Sequence, residues 1–469
     1  MTKRILSGSF VLYVLLQPSV VLAEQQAGNA AGGHGGTLPL VFLFLVIMLL
    51  FARIGAMVER IGQPAVLGEL LMGVLLGVLA FLPGLHFIEP LKGNAFIKDM
   101  AEIGVILLLF RTGLESNVRE MAKVGVRALV VALVGVALPF VGGYFVSQWL
   151  MPGHAFSTYL FIGATLTATS VGITARVFKD LDILKSKEAK IVLGAAVIDD
   201  VLGLIILAVV AGIVSSGTIS FATVSILSLK ALAFLIGSIV VGQLLSPRLG
   251  VWFSRIHSGV GMKMALALLF CATFAYGASA LAGLAPIVGA FAAGLVLDPV
   301  HFKPFMAPHI AQKIRGWARR VNGDSTLAGE MDEAAQREDH SHIESLIDGV
   351  SHFFVPIFFV YTGMQVNLSA FTDPTIVGVA LAITAVAVLG KVLCGSVAGP
   401  GTDKKLVGFG MVPRGEVGLI FANVGKQLGA VNDSVFAMIV IMVILTTLLV
   451  PPILSLMIKR RKAASLSLA

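Results

Sequence analysis

The segment Leu193-Gly-Ala-Ala-Val-Ile-Asp199-Asp200-Val-Leu-Gly-Leu-Ile-Ile-Leu207 places two adjacent carboxylates in a run that is otherwise apolar from about residue 191 to residue 214. A run of this length can cross a bilayer, which requires ~20 apolar residues. Each carboxylate near the bilayer centre costs ~2.5–3.5 kcal/mol on insertion scales. Because packing alone does not need such groups, the pair predicts an ion or proton site inside a membrane.

The composition of the whole chain supports a membrane protein. Of 469 residues, 57% are hydrophobic and 13% are charged, whereas soluble domains carry about 25% charged residues. The apolar runs do not alternate with polar residues, which excludes an outer-membrane barrel. The net charge of +8 reflects cations in loops that orient the protein, so no nucleic-acid partner is expected. The two cysteines and nine histidines lack metal-ligand spacing, and no cofactor is expected.

The first 37 residues differ from the apolar runs that follow. Lys3 and Arg4 precede an apolar segment that ends in Val21-Leu22-Ala23, which is the pattern of a cleaved secretory signal peptide. We therefore interpret residues 1–23 as a signal peptide and residues 24–37 as a periplasmic linker. An uncleaved first helix is the alternative, because it would give the same membrane topology.

Apolar runs recur from about residue 38 to residue 457 and predict about thirteen transmembrane helices. A polar stretch at residues 301–347 separates a first transmembrane half, residues 38–300, from a second half, residues 348–458. When the basic tail at residues 459–469 is placed in the cytoplasm, Lys and Arg concentrate in alternate loops on that side. This bias predicts a cytoplasmic C-terminus and a cytoplasmic linker at residues 301–347.

The chain contains an internal repeat, whose second unit begins near the end of the first transmembrane half. Three pairs of short motifs occur in the same order in the two repeat units, and most of their members combine a glycine with polar residues. The pairs are Gly68–Gly73 with Gly289–Gly294, Leu109–Asn117 with Val360–Asn367, and Thr169–Ile173 with Glu416–Leu419. Because each repeat unit holds an odd number of predicted helices, corresponding helices would cross the membrane in opposite directions. Inverted-topology repeats of this kind are the architecture of many secondary transporters, which bind substrate near the membrane midplane.

One predicted helix in the first half contains a cluster of hydroxyl side chains. Thr165, Thr167, Thr169 and Ser170 are followed by Gly172, at positions where a bilayer helix would favour leucine. Hydroxyl-rich runs also serve as packing faces between membrane helices, and this remains the alternative for Thr165. The pattern otherwise predicts an interrupted helix whose oxygen atoms face the transported ion.

The counterpart helix in the second half contains Pro413 and Gly415. Proline removes a backbone N–H and clashes with the preceding helical turn. Unwound backbone persists at membrane depth only where protein or water covers it, and its carbonyl and hydroxyl oxygens can ligate Na⁺. We therefore predict helix breaks at Gly172, Pro413 and Gly415, and ion-binding roles for Thr167, Thr169 and Ser170.

A lysine deep in an apolar run completes the predicted ion site. Lys391 lies in the run Val388–Cys394 and needs a counter-charge as much as a buried aspartate does. We expect Lys391 to pair with Asp199 and Asp200 to bind the transported Na⁺, so that Na⁺ and H⁺ compete for one carboxylate. If both Asp200 and Lys391 release protons when Na⁺ binds, exchange is two H⁺ for one Na⁺ and electrogenic.

Three further charges are predicted to be structural. Glu69, Arg414 and Glu416 lie in apolar runs beside or near the expected interruptions. We expect Arg414 to pair with Glu416 or with Glu69 and so to fasten the broken helix. These residues are interpreted as supports of the site and not as direct ligands of the ion.

Together these motifs resemble the monovalent cation:proton antiporters, in the branch of the NapA- and GerN-like proteins and the Kef-type potassium efflux systems. The resemblance covers about residues 38–457, and the residues that carry it are Ala196–Asp200, Thr167–Ser170, Leu67–Leu70, Pro356–Phe359, Lys391 and Pro413–Val417. It implies an all-α polytopic protein with a core domain built on two crossed, interrupted helices, a dimerisation domain and elevator-like alternating access.

The resemblance also implies roles for the charged residues. In the electrogenic Asp-Asp members the second aspartate binds the ion and a lysine pairs with the first, which matches Asp200, Asp199 and Lys391. The expected partners are Na⁺ or Li⁺ and H⁺ as substrates, the lipid bilayer, and a second copy of the chain in a homodimer. The expected location is a bacterial inner membrane.

Other function classes fit the sequence less well than Na⁺/H⁺ exchange. K⁺/H⁺ exchange is the closest alternative, because oxygen ligands alone do not determine the size of the bound cation. An ion channel needs neither the inverted repeat nor a carboxylate that exchanges protons. An aspartyl protease needs two carboxylates that face each other, whereas adjacent residues on a helix point ~100° apart. The chain is therefore predicted to be a secondary transporter and not an enzyme.

Overall fold

The computed structural model describes residues 38–61, 63–80, 88–115, 125–181, 183–184, 186–216, 221–297, 305, 314, 325–366 and 372–466. The predicted signal peptide and periplasmic linker, residues 1–23 and 24–37, lie outside the described residues. Within the described ranges every regular element is an α-helix or a 3₁₀ helix, and the all-α prediction is confirmed.

We number the described α-helices in chain order. The first eight are α1 (Leu38–Gly55), α2 (Ala65–Leu79), α3 (Glu89–Gly93), α4 (Ala95–Glu115), α5 (Val126–Leu150), α6 (Phe156–Thr165), α7 (Val171–Asp180) and α8 (Lys187–Ser216). The others are α9 (Phe221–Ile256), α10 (Val260–Ala282), α11 (Pro286–Val296), α12 (Ser325–Met364), α13 (Pro374–Cys394), α14 (Lys404–Gly410), α15 (Glu416–Gln427) and α16 (Asp433–Leu466). Two 3₁₀ helices, Ala56–Ile61 and Gly395–Val397, follow α1 and α13.

Eight of the described helices are long and apolar enough to cross a membrane, namely those that hold most of α1, α5, α8, α9, α10, α12, α13 and α16. Two shorter helices, α2 and α11, are also apolar. Four further helices are each too short to span a bilayer, which requires ~20 residues, and we call them half-helices: α6, α7, α14 and α15. The count of about thirteen crossings therefore stays a prediction.

Helix α12 begins earlier than the sequence suggested. The polar stretch at residues 301–347 is predicted to be a linker between the two transmembrane halves, but α12 already begins at Ser325. Ala, Glu, Gln and Arg are frequent between residues 326 and 337, and these residues are good helix formers. Intrinsic propensity therefore extends the helix beyond the apolar run on which the boundary at residue 348 was based.

The described chain divides into two compact units. The first unit comprises residues up to Glu102 together with Pro356–Gln365, and the second comprises Ile103–Val355 and Val366 onward. In the first unit, a Cβ built on Gly73 would lie 2.2 Å from the carbonyl oxygen of Val360, and one on Gly363 would lie 2.2 Å from that of Leu70. Two helices therefore touch through their backbones at these glycines, which explains why both residues lack side chains.

The second unit contains the same contact between the repeat counterparts of these glycines. A Cβ on Gly113 would lie 2.2 Å from the carbonyl oxygen of Phe291, and one on Gly294 would lie 2.1 Å from that of Phe110. The motif pairs of the sequence relate Gly294 to Gly73 and Gly113 to Gly363. The recurrence of one backbone contact at both pairs supports the internal repeat.

Candidate functional site

The two aspartates lie near the middle of α8, a helix of 30 residues. Helix α8 contacts all four half-helices, α6, α7, α14 and α15, and lies wholly in the second unit. Asp199 is 1% exposed and Asp200 is 7% exposed. Because consecutive helical side chains point ~100° apart, the two carboxylates face different neighbours.

Lys391 of α13 pairs with the first aspartate. Its Nζ donates hydrogen bonds of 3.1 Å to both Oδ1 and Oδ2 of Asp199. Both side chains are 0% exposed, so the two charges are removed from solvent together. The structure thus brings Lys391 and Asp199 into the predicted contact, while the role of the pair in ion binding stays a prediction.

The first helix interruption lies between α6 and α7. Helix α6 ends at Thr165 and α7 begins at Val171. Within this interruption the Thr167 hydroxyl donates to the carbonyl oxygen of Ala164 at 2.7 Å. The break predicted at Gly172 is wrong, because Gly172 is the second residue of α7. A helix tolerates a glycine. The interruption instead falls at the hydroxyl-bearing residues before Gly172, whose side chains compete with the helical backbone hydrogen bonds.

The second interruption lies between α14, which ends at Gly410, and α15, which begins at Glu416. Pro413 and Gly415 fall inside it, as predicted. A Cβ on Gly415 would lie 2.8 Å from Oγ of Ser170 and 2.9 Å from its Cβ. Glycine is therefore required here because the first interruption passes so closely.

The two interruptions are hydrogen-bonded to each other. The Ser170 amide donates to the carbonyl oxygen of Pro413 at 2.8 Å. The hydroxyl of Thr169 donates to the Met411 carbonyl oxygen at 3.1 Å, and that of Thr174 donates to the Gly410 carbonyl oxygen at 2.7 Å. These bonds satisfy carbonyls that would otherwise be unpaired where each helix stops.

Arg414 is fully buried and fastens the interruptions through carbonyl oxygens. Its Nη1 donates to Thr167, at 3.2 Å, and to Ala168, and its Nη2 donates to Ala387 of α13 at 3.4 Å. The hydroxyl of Thr447 donates to the Arg414 carbonyl oxygen at 2.5 Å. Positive charge at the end of α6 also compensates the negative end of its dipole.

These bonds narrow the set of oxygen atoms suited to a cation. The carbonyl oxygens of residues 167, 168, 410, 411 and 413 already accept hydrogen bonds from the protein. The hydroxyls of Thr167 and Thr169 have donated their hydrogens, so they present lone pairs to any further partner. The Asp200 carboxylate and these hydroxyl oxygens are therefore the best candidates for ion ligands.

The remaining two residues predicted as structural charges, Glu69 and Glu416, lie on different helices. Glu69 of α2 is 6% exposed and belongs to the first unit. Glu416 is the first residue of α15 and half-buried, a position at which a helix dipole favours negative charge. The pairing of Arg414 with Glu416 or Glu69 stays a prediction.

Sequence reasoning missed Thr174 and Thr447 as parts of this site. Each is a hydroxyl in an apolar run, which is a weak signal, because a helical threonine usually bonds to its own helix. Thr384 does so, donating to the Ala380 carbonyl oxygen at 2.6 Å. Only tertiary packing reveals that Thr174 donates to Gly410 at the end of α14, and that Thr447 donates to Arg414 in the second interruption.

Replacement of Thr174 by valine is expected to lower the free energy of unfolding by about 1–3 kcal/mol, because the buried Gly410 carbonyl oxygen loses its donor. Thr384→Val is the matched control, since the Ala380 carbonyl belongs to its own helix. Thermal unfolding of the two purified variants in detergent measures the loss of stability in each. Equal unfolding temperatures for the two variants would contradict the assignment of Thr174 to the contact between interruptions.

Comparison with known proteins adds independent findings. A family profile described as "Sodium/hydrogen exchanger, transmembrane" matches residues 43–460. The chain is 36% identical over 450 residues to the high-affinity Na⁺/H⁺ antiporter NhaS3 of Synechocystis sp., which covers 88% of each protein. It is 33% identical over 420 residues to the Na⁺/H⁺-K⁺ antiporter GerN of Bacillus cereus, with coverage of 88% of this chain and 95% of that protein.

A solved structure has a similar fold. The sodium proton antiporter MjNhaP1 from Methanocaldococcus jannaschii superposes with a TM-score of 0.60 over 89% of this chain and 95% of that one. The sequence identity is 20%, so this likeness concerns the fold alone.

Proposed function

This chain belongs to the sodium/hydrogen exchanger family of transmembrane proteins, and we propose that it exchanges Na⁺ or Li⁺ for H⁺ by alternating access. The observation that supports this proposal most is the pairing of Lys391 with Asp199 beside a second buried carboxylate, Asp200. The family is one of transporters, and the chain is a multi-pass membrane protein.

The proposed mechanism is competition at the Asp200 carboxylate. When the site opens to the side rich in Na⁺, the cation displaces the proton from Asp200 and is held by carboxylate and hydroxyl oxygens. When it opens to the other side, a proton displaces the cation. When Asp200 holds neither ion, its carboxylate is charged, and a charged carboxylate in a low-dielectric medium is costly. The site therefore rarely changes the side to which it opens without an ion, which couples the two fluxes.

Lys391 is proposed to make the exchange electrogenic. If Lys391 loses its proton when Na⁺ binds and regains it when Na⁺ leaves, each cycle carries one proton more than Asp200 alone would carry. The 3.1 Å bonds from its Nζ to both oxygens of Asp199 make its charge sensitive to any change around Asp199. Two H⁺ would then move for each Na⁺.

The setting of the proposed activity is a bacterial inner membrane. The C-terminal helix α16 ends in a basic stretch that includes Lys459, Arg460 and Arg461, and we place this end in the cytoplasm by the positive-inside rule. A homodimer remains part of the proposal.

Potassium is the second candidate cation. The relative GerN bears the name Na⁺/H⁺-K⁺ antiporter and is 33% identical, which favours a test of K⁺ beside Na⁺. Oxygen ligands bind both ions, and selectivity depends on the size and rigidity of the site.

Purified protein in proteoliposomes tests the proposed function. We expect Na⁺ and Li⁺ to dissipate an imposed pH gradient, as followed by a pH-sensitive dye, and choline to leave it intact. A response to K⁺ alone would replace the Na⁺/H⁺ assignment by K⁺/H⁺ exchange. No response to any of the three cations would contradict an antiporter.

A further inference from the structure

Many glycines in this protein are explained by close backbone contacts. A Cβ on Gly113 or Gly294 would lie within about 2.2 Å of a carbonyl oxygen of the neighbouring helix. No side chain fits at such a position, so packing alone accounts for the glycine.

Gly203 of α8 is buried, but packing does not require a glycine there. A Cβ at this position would lie 3.5 Å from Cζ of Phe421 and 4.0 Å from Oγ1 of Thr167, both of them ordinary contacts. Alanine would therefore fit, and in a helix interior it is more stable than glycine by ~1 kcal/mol. Gly203 forgoes this stability, and its surroundings suggest why.

Gly203 lies beside one of the candidate ion ligands, the Thr167 hydroxyl. Gly203 follows Asp199 by four residues and Asp200 by three, and side chains at these spacings share one helix face. Outside α8 itself, the nearest polar atom to its absent Cβ is the Thr167 hydroxyl oxygen, whose hydrogen is donated to the carbonyl oxygen of Ala164. The space that a methyl group would fill thus lies between the first interruption, the Phe421 ring and the face of α8 that carries the carboxylates.

We propose that Gly203 determines the size of the cation that this transporter accepts. The inference rests on the proposed function, because it takes the Asp200 carboxylate and the Thr167 hydroxyl as ion ligands. Glycine at position 203 leaves the space beside the Thr167 hydroxyl open to the cation. A methyl group there reduces the space available to the cation and favours a small cation, Li⁺, over Na⁺ and K⁺.

The test is transport by Gly203→Ala in proteoliposomes at one pH, with Li⁺, Na⁺ and K⁺ as separate substrates. We expect the ratio of the Na⁺ to the Li⁺ KM to rise about tenfold, which is the discrimination a single methyl group commonly gives, and any K⁺ response to weaken further. The unfolding temperature should stay equal or rise, since the alanine meets only ordinary contacts. A structural role alone would lower the unfolding temperature and leave the KM ratios unchanged.

Gly237→Ala is the matched control, because Gly237 lies within α9 and a Cβ there would meet no atom within 4 Å. It makes the same change in a helix outside the candidate site, and we expect wild-type KM ratios. Wild-type protein that exchanges cations, together with unchanged ratios in Gly203→Ala, would overturn this inference and leave the proposed function intact. Wild-type protein that exchanges no cation would overturn both.

Discussion

Replacement of Asp200 by asparagine is expected to abolish cation-driven proton exchange. Asparagine has nearly the same shape as aspartate, so the packing of α8 should be retained. Its amide carries no charge and cannot exchange a proton. A unit charge ~4 Å from a cation contributes about 4 kcal/mol at an effective dielectric constant of 20, so its loss should weaken Na⁺ binding roughly a thousandfold.

Proteoliposome exchange with Na⁺ and Li⁺ measures this effect. Asp433→Asn is the matched control, because Asp433 is a 59% exposed side chain at the start of α16 that pairs with Lys426 of α15. Circular dichroism and unfolding temperatures should match wild type for both variants. Exchange by Asp200→Asn at the wild-type rate would remove Asp200 from the ion site.

Replacement of Lys391 by methionine is expected to destabilise the protein by about 3–5 kcal/mol, because it leaves the Asp199 carboxylate buried without its counter-charge. Replacing both partners of a buried ion pair is often nearly neutral. The double variant Lys391→Met/Asp199→Asn should therefore unfold at a higher temperature than Lys391→Met. A double variant that is less stable than the single one would show that the pair does not account for the effect.

Lys391 also controls the predicted charge movement. If its proton travels with each cycle, Lys391→Ala should exchange Na⁺ for H⁺ without responding to an imposed membrane potential. The comparison uses proteoliposomes with a K⁺ diffusion potential of either sign. Exchange that the potential still drives would contradict the role of Lys391 as a proton carrier.

The charged part of the site was predictable from the sequence for a physical reason. In an apolar run each polar group is costly, so Asp199, Asp200 and Lys391 are conspicuous, and charge balance predicts their pairing. Pro413 identified the second interruption because proline cannot continue a helix undisturbed.

The rest of the site depends on tertiary contacts. A glycine such as Gly172 is equally compatible with a break and with a helix, and only the bonds made by Thr169 and Ser170 place the interruption before it. Nor does sequence reveal whether Thr174 donates to its own helix or, as observed, to Gly410. Gly203 and Gly113 likewise look alike in sequence, although only Gly113 meets a neighbouring backbone.

Proton release on Na⁺ binding tests the central claim most directly. Purified protein in weakly buffered detergent solution receives NaCl or, as the control for ionic strength, choline chloride, and a pH-sensitive dye reports the released protons. If Na⁺ and H⁺ compete for Asp200, wild-type protein will release protons with NaCl only, and Asp200→Asn will release none. Equal proton release from wild type and Asp200→Asn would contradict the account.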